Sequence, residues 1–280
     1  MNETSLFIVV VLYNKGPHES STLKSITKIN RYLCKKLRLL IWNNSPNEYT
    51  LKEKNNLKDM LSFITYDYIY NGGQNIPLSK LYNDTIRKIK ESESLLILDD
   101  DSVFETKFIY KAFEAIEIYK EIDLFLPIVL NDGKIVSPAK MVNFKGSYFK
   151  MIKPGMMSCK NITAINSGMI IRGRYLKGAF EGYDERIKFY FTDNDFMDRY
   201  RSSHDSLFLI DYKMHHTLDF YKKGEPFSVK SKRFKDLKHS FLILMRRKSL
   251  IMYLCTQIYL LIYSVKFSIK QRDIRFLFIN

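Results

Sequence analysis

Ser94-Leu95-Leu96-Ile97-Leu98-Asp99-Asp100-Asp101-Ser102 decides how the rest of the chain is read. Four apolar residues without polar alternation are the signature of a strand buried on both faces, as in a parallel sheet. Three consecutive carboxylates then stop it. Working outward, Ser5 to Tyr13 (SLFIVVVLY) is a second run of the same kind, ended by Asn14-Lys15-Gly16-Pro17. A helical stretch from about Ser20 to Leu37 follows, with Leu23, Ile26, Ile29 and Leu33 in phase, and then a strand from Leu37 to Trp42 ending at Asn43-Asn44-Ser45-Pro46. The pattern recurs as a strand Phe63 to Tyr70, a turn Asn71-Gly72-Gly73, a helix Ser79 to Lys90, the quoted strand, and a helix Lys107 to Tyr119. Such a succession predicts an α/β fold: a mostly parallel sheet with right-handed crossovers, flanked by helices. Ligands of such sheets bind at the carboxyl ends of the strands, where Tyr13-Asn14, Asn43-Asn44-Ser45 and the three aspartates all fall. The Asn71-Gly72-Gly73 triplet reads first as a turn and second as a phosphate-cradling loop.

Past Asp123 the character changes. Asp123 to Ser137 reads as a hairpin around Asn131-Asp132-Gly133, Phe144 to Gly155 as a polar loop, and Ala164 to Arg172 as a strand. Asp193-Asn194-Asp195-Phe196 begins a helix to about Arg201, and Leu207 to Tyr212 is a last strand ending near His215-His216. From about Ser228 onward the pattern is helical, apolar and basic together.

With 280 residues, 46% of them hydrophobic and 14% aromatic, the chain has apolar material for one large domain plus an appendage, which excludes a disordered tail or a mini-protein. We divide it into a domain 1–221 and a helical extension 222–280. The net charge of +15 is unevenly placed: residues 222–248 hold ten Lys and Arg against Glu225 and Asp236. An anionic partner for that part is expected. Ser249 to Val265 is a 17-residue stretch without charge, at the lower edge of what spans a hydrocarbon core about 30 Å thick, and Ser249, Thr256, Gln257 and Ser264 make it a poor spanning helix. Tyr253, Tyr259 and Tyr263, with basic flanks, fit a helix lying in the interface of an anionic bilayer; an ordinary helix packed on the domain is the alternative. Nucleic acid is not an expected partner, because the charge sits in the appendage while the cleft carries aspartates that repel a polyanion. Cys34, Cys159 and Cys255 are odd in number and far apart, which suits a reducing compartment better than a disulfide framework or a zinc site. The amino terminus has no basic region ahead of its apolar run, so it does not read as a signal peptide.

Adjacent carboxylates at a strand end repel one another, a cost that a divalent cation relieves, and hard oxygen ligands select Mg²⁺ or Mn²⁺. Such an ion would bridge the protein to a diphosphate. The competing role for Asp101 or Ser102 is to cap the helix that follows.

The strand endings and their order resemble the family 2 glycosyltransferases of the GT-A fold. Val11-Leu12-Tyr13-Asn14 matches a first strand ending in (T/L)-Y-N. Trp42-Asn43-Asn44-Ser45 is a variant of D-N-x-S, Asn75 to Asn83 of N-x-G-x-S-x-A-x-N, and Asp99-Asp100-Asp101 of D-x-D. Asn166-Ser167-Gly168-Met169-Ile170-Ile171 is similar to the S-G-x-x-(I/L) strand of bacterial rhamnosyltransferase-like members. Gly182-Tyr183-Asp184-Glu185 with Phe191 to Phe196 resembles their G-x-(F/Y)-D-E…(E/D)-D-x-D segment. The likeness covers roughly residues 5 to 220. Asn43, Pro77, Leu81 and Thr192 depart from the pattern, the first at a position that often contacts the nucleobase, and the Q-x-x-R-W element of processive synthases is absent.

The resemblance implies a nonprocessive, inverting enzyme that moves one sugar from a nucleotide-sugar donor, dTDP-rhamnose first and a UDP-sugar next. The implied acceptor is a lipid-linked saccharide of bacterial surface polysaccharide (O-antigen or capsule) synthesis. It implies donor contacts from Tyr13, Asn14, Asn44, Asn75, Ser79, Asn83 and Asp99, and Mn²⁺ or Mg²⁺ on Asp99, Asp101 and His216. The base would be Asp193, with Asp195 as rival; either could be purely structural, Asp193 as a helix cap. The implied location is peripheral, on the cytoplasmic face of the inner membrane. A nucleotidyltransferase on a similar fold, or a catalytically inert scaffold, are the other readings.

Overall fold

The computed structural model describes residues 4–142, 145–216 and 225–279. Strand β1 (Ser5–Leu12) lies at the centre of the molecule. Its Leu6, Ile8, Val10 and Leu12 enter the core on one side of the sheet, and Phe7, Val9 and Val11 that on the other, as an unbroken apolar run requires when successive side chains alternate. Helices α1 (Ser21–Ile26) and α2 (Arg31–Cys34) lead to β2 (Leu37–Asn43), α3 (Leu51–Met60) to β3 (Thr65–Tyr70), and α4 (Leu78–Lys88) to β4 (Glu93–Asp99), which α5 (Thr106–Ile118) follows. β1 to β4 are parallel, in the order β3-β2-β1-β4, with Val11 in register with Asp99.

The second half extends this sheet. β5 (Leu124–Asn131) and β6 (Lys134–Ser137) form the expected hairpin, β7 (Ala139–Val142), β8 (Lys145–Tyr148) and β10 (Ile162–Thr163) make a small separate sheet, and β9 (Gly155–Ser158) edges the large one. β11 (Ile170–Arg172) runs antiparallel between β4 and β5. α6 (Gly173–Lys177) and α7 (Thr192–Ser203) precede β12 (Ser206–His215), which lies parallel to β5. The last helices, α8 (Phe227–Lys248) and α9 (Leu250–Gln271), pack on each other through Phe234 and Phe267, joined by Phe276 from the segment after α9, and on the domain through Ile187, Phe241, Leu244, Met245 and Leu260. The architecture is the mixed α/β, mainly parallel one expected, with a helical carboxyl-terminal part. The expected boundary at 221/222 lies outside the described residues.

Several local expectations change. The helix read over 20–37 is two short helices, because the Asn30 side chain accepts from the Tyr32 N–H and starts a second one. α3 was not expected: its single buried side chain, Leu57, gives no apolar period, and a Thr50/Glu53 capping box holds its start. The strand read over 164–172 is confined to 170–172. Gly168 has φ +92°, and a Cβ there would stand 2.7 Å from Pro127 and Met214 side-chain atoms, so the chain turns at Ser167-Gly168 and only then pairs. The loop read over 144–155 contains β8 and the start of β9.

Candidate active site

The acidic turn is held from both sides. Asp99 closes β4, its N–H donating to Ser167 Oγ at 3.1 Å and its carbonyl accepting from Thr22 Oγ1. Ser102 donates its N–H to Thr22 Oγ1, and its hydroxyl bonds that of Ser167. The next residue, Val103, exchanges two backbone hydrogen bonds with His215 at the end of β12. That bridge draws residue 216 onto the turn. His216 Nδ1 comes 2.9 Å from Asp101 Oδ1 and its Nε2 3.8 Å from Asp99 Oδ2. One ligand atom from each of Asp99, Asp101 and His216 lies within 4.8 Å of the others. Asp101 Oδ1 is buried and in no hydrogen bond, the 2.9 Å approach being close but not aligned as one. A buried carboxylate oxygen without a hydrogen bond is costly, and two carboxylates with an imidazole form a donor set that suits Mn²⁺, and Mg²⁺ less readily because of the nitrogen.

Asp100 faces elsewhere. Its carboxylate accepts from the Tyr13 N–H at 3.2 Å and pairs with the Lys15 ammonium, fastening the loop after β1, in which Asn14 takes φ 52° and donates its N–H to Ser45 Oγ. Tyr13, Asn14 and Asn75 are exposed at this end of the sheet. Asn44 is buried, and its amide is committed to Asn71, Asn75 and the Ile76 backbone, shaping the 71–76 segment. Asn83 likewise serves the chain: it donates to the Tyr183 carbonyl and Glu185 and accepts from the Tyr183 N–H, beside Gly182 at φ +91°, where a Cβ would come 3.0 Å from the Asn83 oxygen. Ser79 Oγ is buried without a hydrogen bond.

Asp193 and Asp195 part company. Asp193 sits in the first turn of α7, bonded through Oδ1 to the Asn194 N–H at 2.8 Å. Burial nevertheless pushes its carboxyl up to about 6, more than those backbone hydrogen bonds pull it down. The Asp99 carboxyl is also pushed up to about 6, first by burial, with His216 opposing and the charges of Asp101, Asp100 and Asp193 adding. The charge of Asp193 is thus felt at Asp99. Both also act on Tyr82, whose hydroxyl is raised by burial and then by Asp99, Tyr183 and Asp193, in that order. The hydroxyls of Tyr82 and Tyr183 are buried without hydrogen bonds. Asp195 is fully buried and bound to the Asp184 N–H at 2.9 Å, to Arg199 Nε at 3.0 Å and to the Arg247 guanidinium of α8. Its carboxylate is an anchor between α7 and the carboxyl-terminal helices, and nothing in that arrangement offers it to a substrate.

Tyr82, Tyr183, Lys15 and Arg247 were not singled out from sequence. The spacing of Ser79 and Tyr82, one helical turn apart on α4, is a signal that could have found Tyr82; Arg247 is indistinguishable from its basic neighbours.

No protein-family model matches the chain, and no curated protein matches it. Solved structures do. TarS 1–349 of S. aureus in complex with UDP-GlcNAc superposes with a TM-score of 0.57 at 14% identity, over 85% of this chain and 66% of that one. GalNAc-T7 with UDP, GalNAc and Mn²⁺ gives 0.60 at 13%, over 84% and 48%. The mannosyltransferase PcManGT of Pyrobaculum calidifontis, in complex with GDP-Man and Mn²⁺, gives 0.56 at 11%, over 91% and 69%. This chain thus spans half to two thirds of the length of these proteins. At such identities the likeness shows the fold, which is that of GT-A glycosyltransferases.

Proposed function

We propose that the chain transfers one sugar from a nucleotide sugar to an acceptor hydroxyl, with inversion at the anomeric carbon. What supports this most is the Asp99/Asp101/His216 cluster, with the charge of Asp193 felt at Asp99. The ligands printed for the three similar structures, nucleotides or nucleotide sugars with Mn²⁺ in two cases, agree with it.

Asp99, Asp101 and His216 would hold Mn²⁺ or Mg²⁺, which when bound supplies a Lewis acid for the charge on the leaving diphosphate. Asp193 takes the proton of the acceptor hydroxyl onto a carboxylate oxygen as that hydroxyl attacks. With its carboxyl near 6, it is mostly ionised at pH 7 yet basic enough to accept. A base on one side of the sugar and a leaving group on the other give inversion in a single displacement, the facial logic of inverting glycosidases. Tyr13, Asn14 and Asn75, exposed at the strand ends, contact the donor, and Asp100 and Asn44 hold their loops. The donor proposed first is dTDP-rhamnose, then a UDP-sugar, and the acceptor a lipid-linked saccharide of a bacterial surface polysaccharide.

The test is a thermal-shift panel of nucleotide sugars with and without Mn²⁺, since a ligand of the folded state raises the melting temperature by mass action. A Mn²⁺-dependent rise for one nucleotide sugar is expected and names the donor class. A rise only with nucleoside triphosphates would favour nucleotidyl transfer, and no rise with any nucleotide would sink the reading.

A further inference from the structure

α9 is inside out for a helix in water. Its stripe toward the protein holds Thr256, Leu260, Ser264, Phe267 and Ser268. The Thr256 and Ser264 hydroxyls donate to carbonyls four residues back, at Met252 and Leu260, the usual refuge of a hydroxyl inside a helix packing. The opposite stripe, Ile251, Leu254, Ile258, Leu261, Val265 and Ile269, recurs at helical spacing and is 48 to 73% exposed. A helix that turns its hydroxyls inward and its branched aliphatics outward has its apolar face toward something other than solvent.

Charge selects the occupant. From 225 to 279 there are twelve Lys and Arg against three acidic residues. A second copy would bring an equally positive hairpin against this one, whereas anionic headgroups complement it. The packing partner fixes the pose. α8 lies against α9 and carries eight basic residues with one acid, so α9 cannot cross a bilayer without drawing those charges toward the hydrocarbon. At about 33 Å long, it can lie along the surface with α8 above it.

We propose that the outer stripe of α9 lies in the plane of an anionic lipid bilayer, spanning nothing, and that the hairpin thereby holds the α7 end of the cleft against the membrane. The link is direct: Phe191, two residues before Asp193, stacks on Phe241 of α8 at 4.8 Å, and Arg247 at the foot of α8 grips Asp195. That an acceptor meets Asp193 at the lipid surface rests on the transfer reading; the docking itself does not.

The full chain is sedimented with vesicles rich in phosphatidylglycerol and with pure phosphatidylcholine vesicles, at low and high salt. Binding to the first, at least about tenfold stronger than to the second and weakened by salt, is expected, together with release by alkaline carbonate. An environment-sensitive dye on Cys255, the exposed cysteine of the three, should shift to the blue on the anionic vesicles. Replacing Leu254, Ile258 and Leu261 together by Glu should abolish binding with the melting temperature unchanged, because all three are exposed. Asp101→Asn should bind vesicles as the parent does, which separates failure of docking from failure of catalysis. Equal binding to both vesicles, binding by the triple variant, or resistance to carbonate would each overturn the proposal. So would a dimer in lipid-free buffer that the triple variant dissolves, with no vesicle binding.

Discussion

Two stretches of this chain read Asp-x-Asp, at 99–101 and at 193–195, and the fold spends them differently. In the turn that ends β4 the outer carboxylates converge on His216, while the middle residue, Asp100, points back to Tyr13 and Lys15. In α7 the first carboxylate accepts from the Asn194 N–H and its charge is felt at Asp99, and the third is sealed between Arg199 and Arg247. The backbone explains the difference. β4 ends at Asp99, and the turn that follows brings Asp101 back beside it at His216, whereas a helix turns residues two apart about 200° from each other. The same three letters give a converging pair at a strand end, and one acid felt at Asp99 plus one anchor at a helix start.

The contrast is tested hardest at 193. Asp193→Asn should lower the transfer rate by about 10²- to 10⁴-fold, the range for loss of a general base, with the Mn²⁺-dependent thermal shift intact. If the rate survives, Asp193 is a helix residue and nothing more. Asp101→Asn should lower the rate about 10²- to 10³-fold and also remove that thermal shift; a shift that persists would mean the cation sits elsewhere. At Asp195 the currency changes. Asp195→Asn leaves two guanidiniums facing a neutral amide in a buried setting, a loss of about 3 kcal/mol of stability read as a lowered melting temperature. The surviving folded fraction should keep its pH profile.

That profile sharpens the comparison further. Both Asp99 and Asp193 carboxyls stand near 6, so at saturating Mn²⁺ the rate should fall about tenfold per unit below that pH as Asp193 takes up its proton. The residual rate of Asp193→Asn should be flat over the same range. A raised carboxyl means that the folded chain holds protons the unfolded chain has released. The metal-free fold should therefore gain stability as pH falls from about 6 toward about 4, and a melting curve without Mn²⁺ reads the sign.

How much of this could be read in advance follows from where each signal lives. β1 and β4 announce themselves because an unalternating apolar run has few other uses, and the three aspartates mark the end of one of them. Positions 99, 101 and 216 were singled out, the last through family resemblance, and the Val103–His215 bridge brings them together. α3 was silent because it buries one residue, although its capping box was there to be read. The commitment of Asp195 could not be seen, since its partner Arg247 stands 52 residues on. Nor could the meeting of Tyr82 with Tyr183, whose rings lie 5.3 Å apart. Local patterns record the strands and turns; which carboxylate is used for chemistry is set by contacts between distant segments.

The smallest effect is expected at the middle acid. Asp100→Asn keeps an oxygen to accept from the Tyr13 N–H and loses only the ion pair with Lys15, whose side chain is 30% exposed. A partly solvated pair of this kind contributes at most about 1 kcal/mol. Burial raises the Asp100 carboxyl while Lys15 holds it down, so neutralising it also relieves a desolvation cost and offsets part of the loss. The consequence should be a looser loop at Tyr13-Asn14, seen as a few-fold rise in KM for the donor with kcat nearly unchanged and the Mn²⁺-dependent shift preserved. A kcat loss as large as that of Asp101→Asn would show that the three adjacent carboxylates act as one unit, and the distinction between chelating and fastening acids would then fail at the turn where it is clearest.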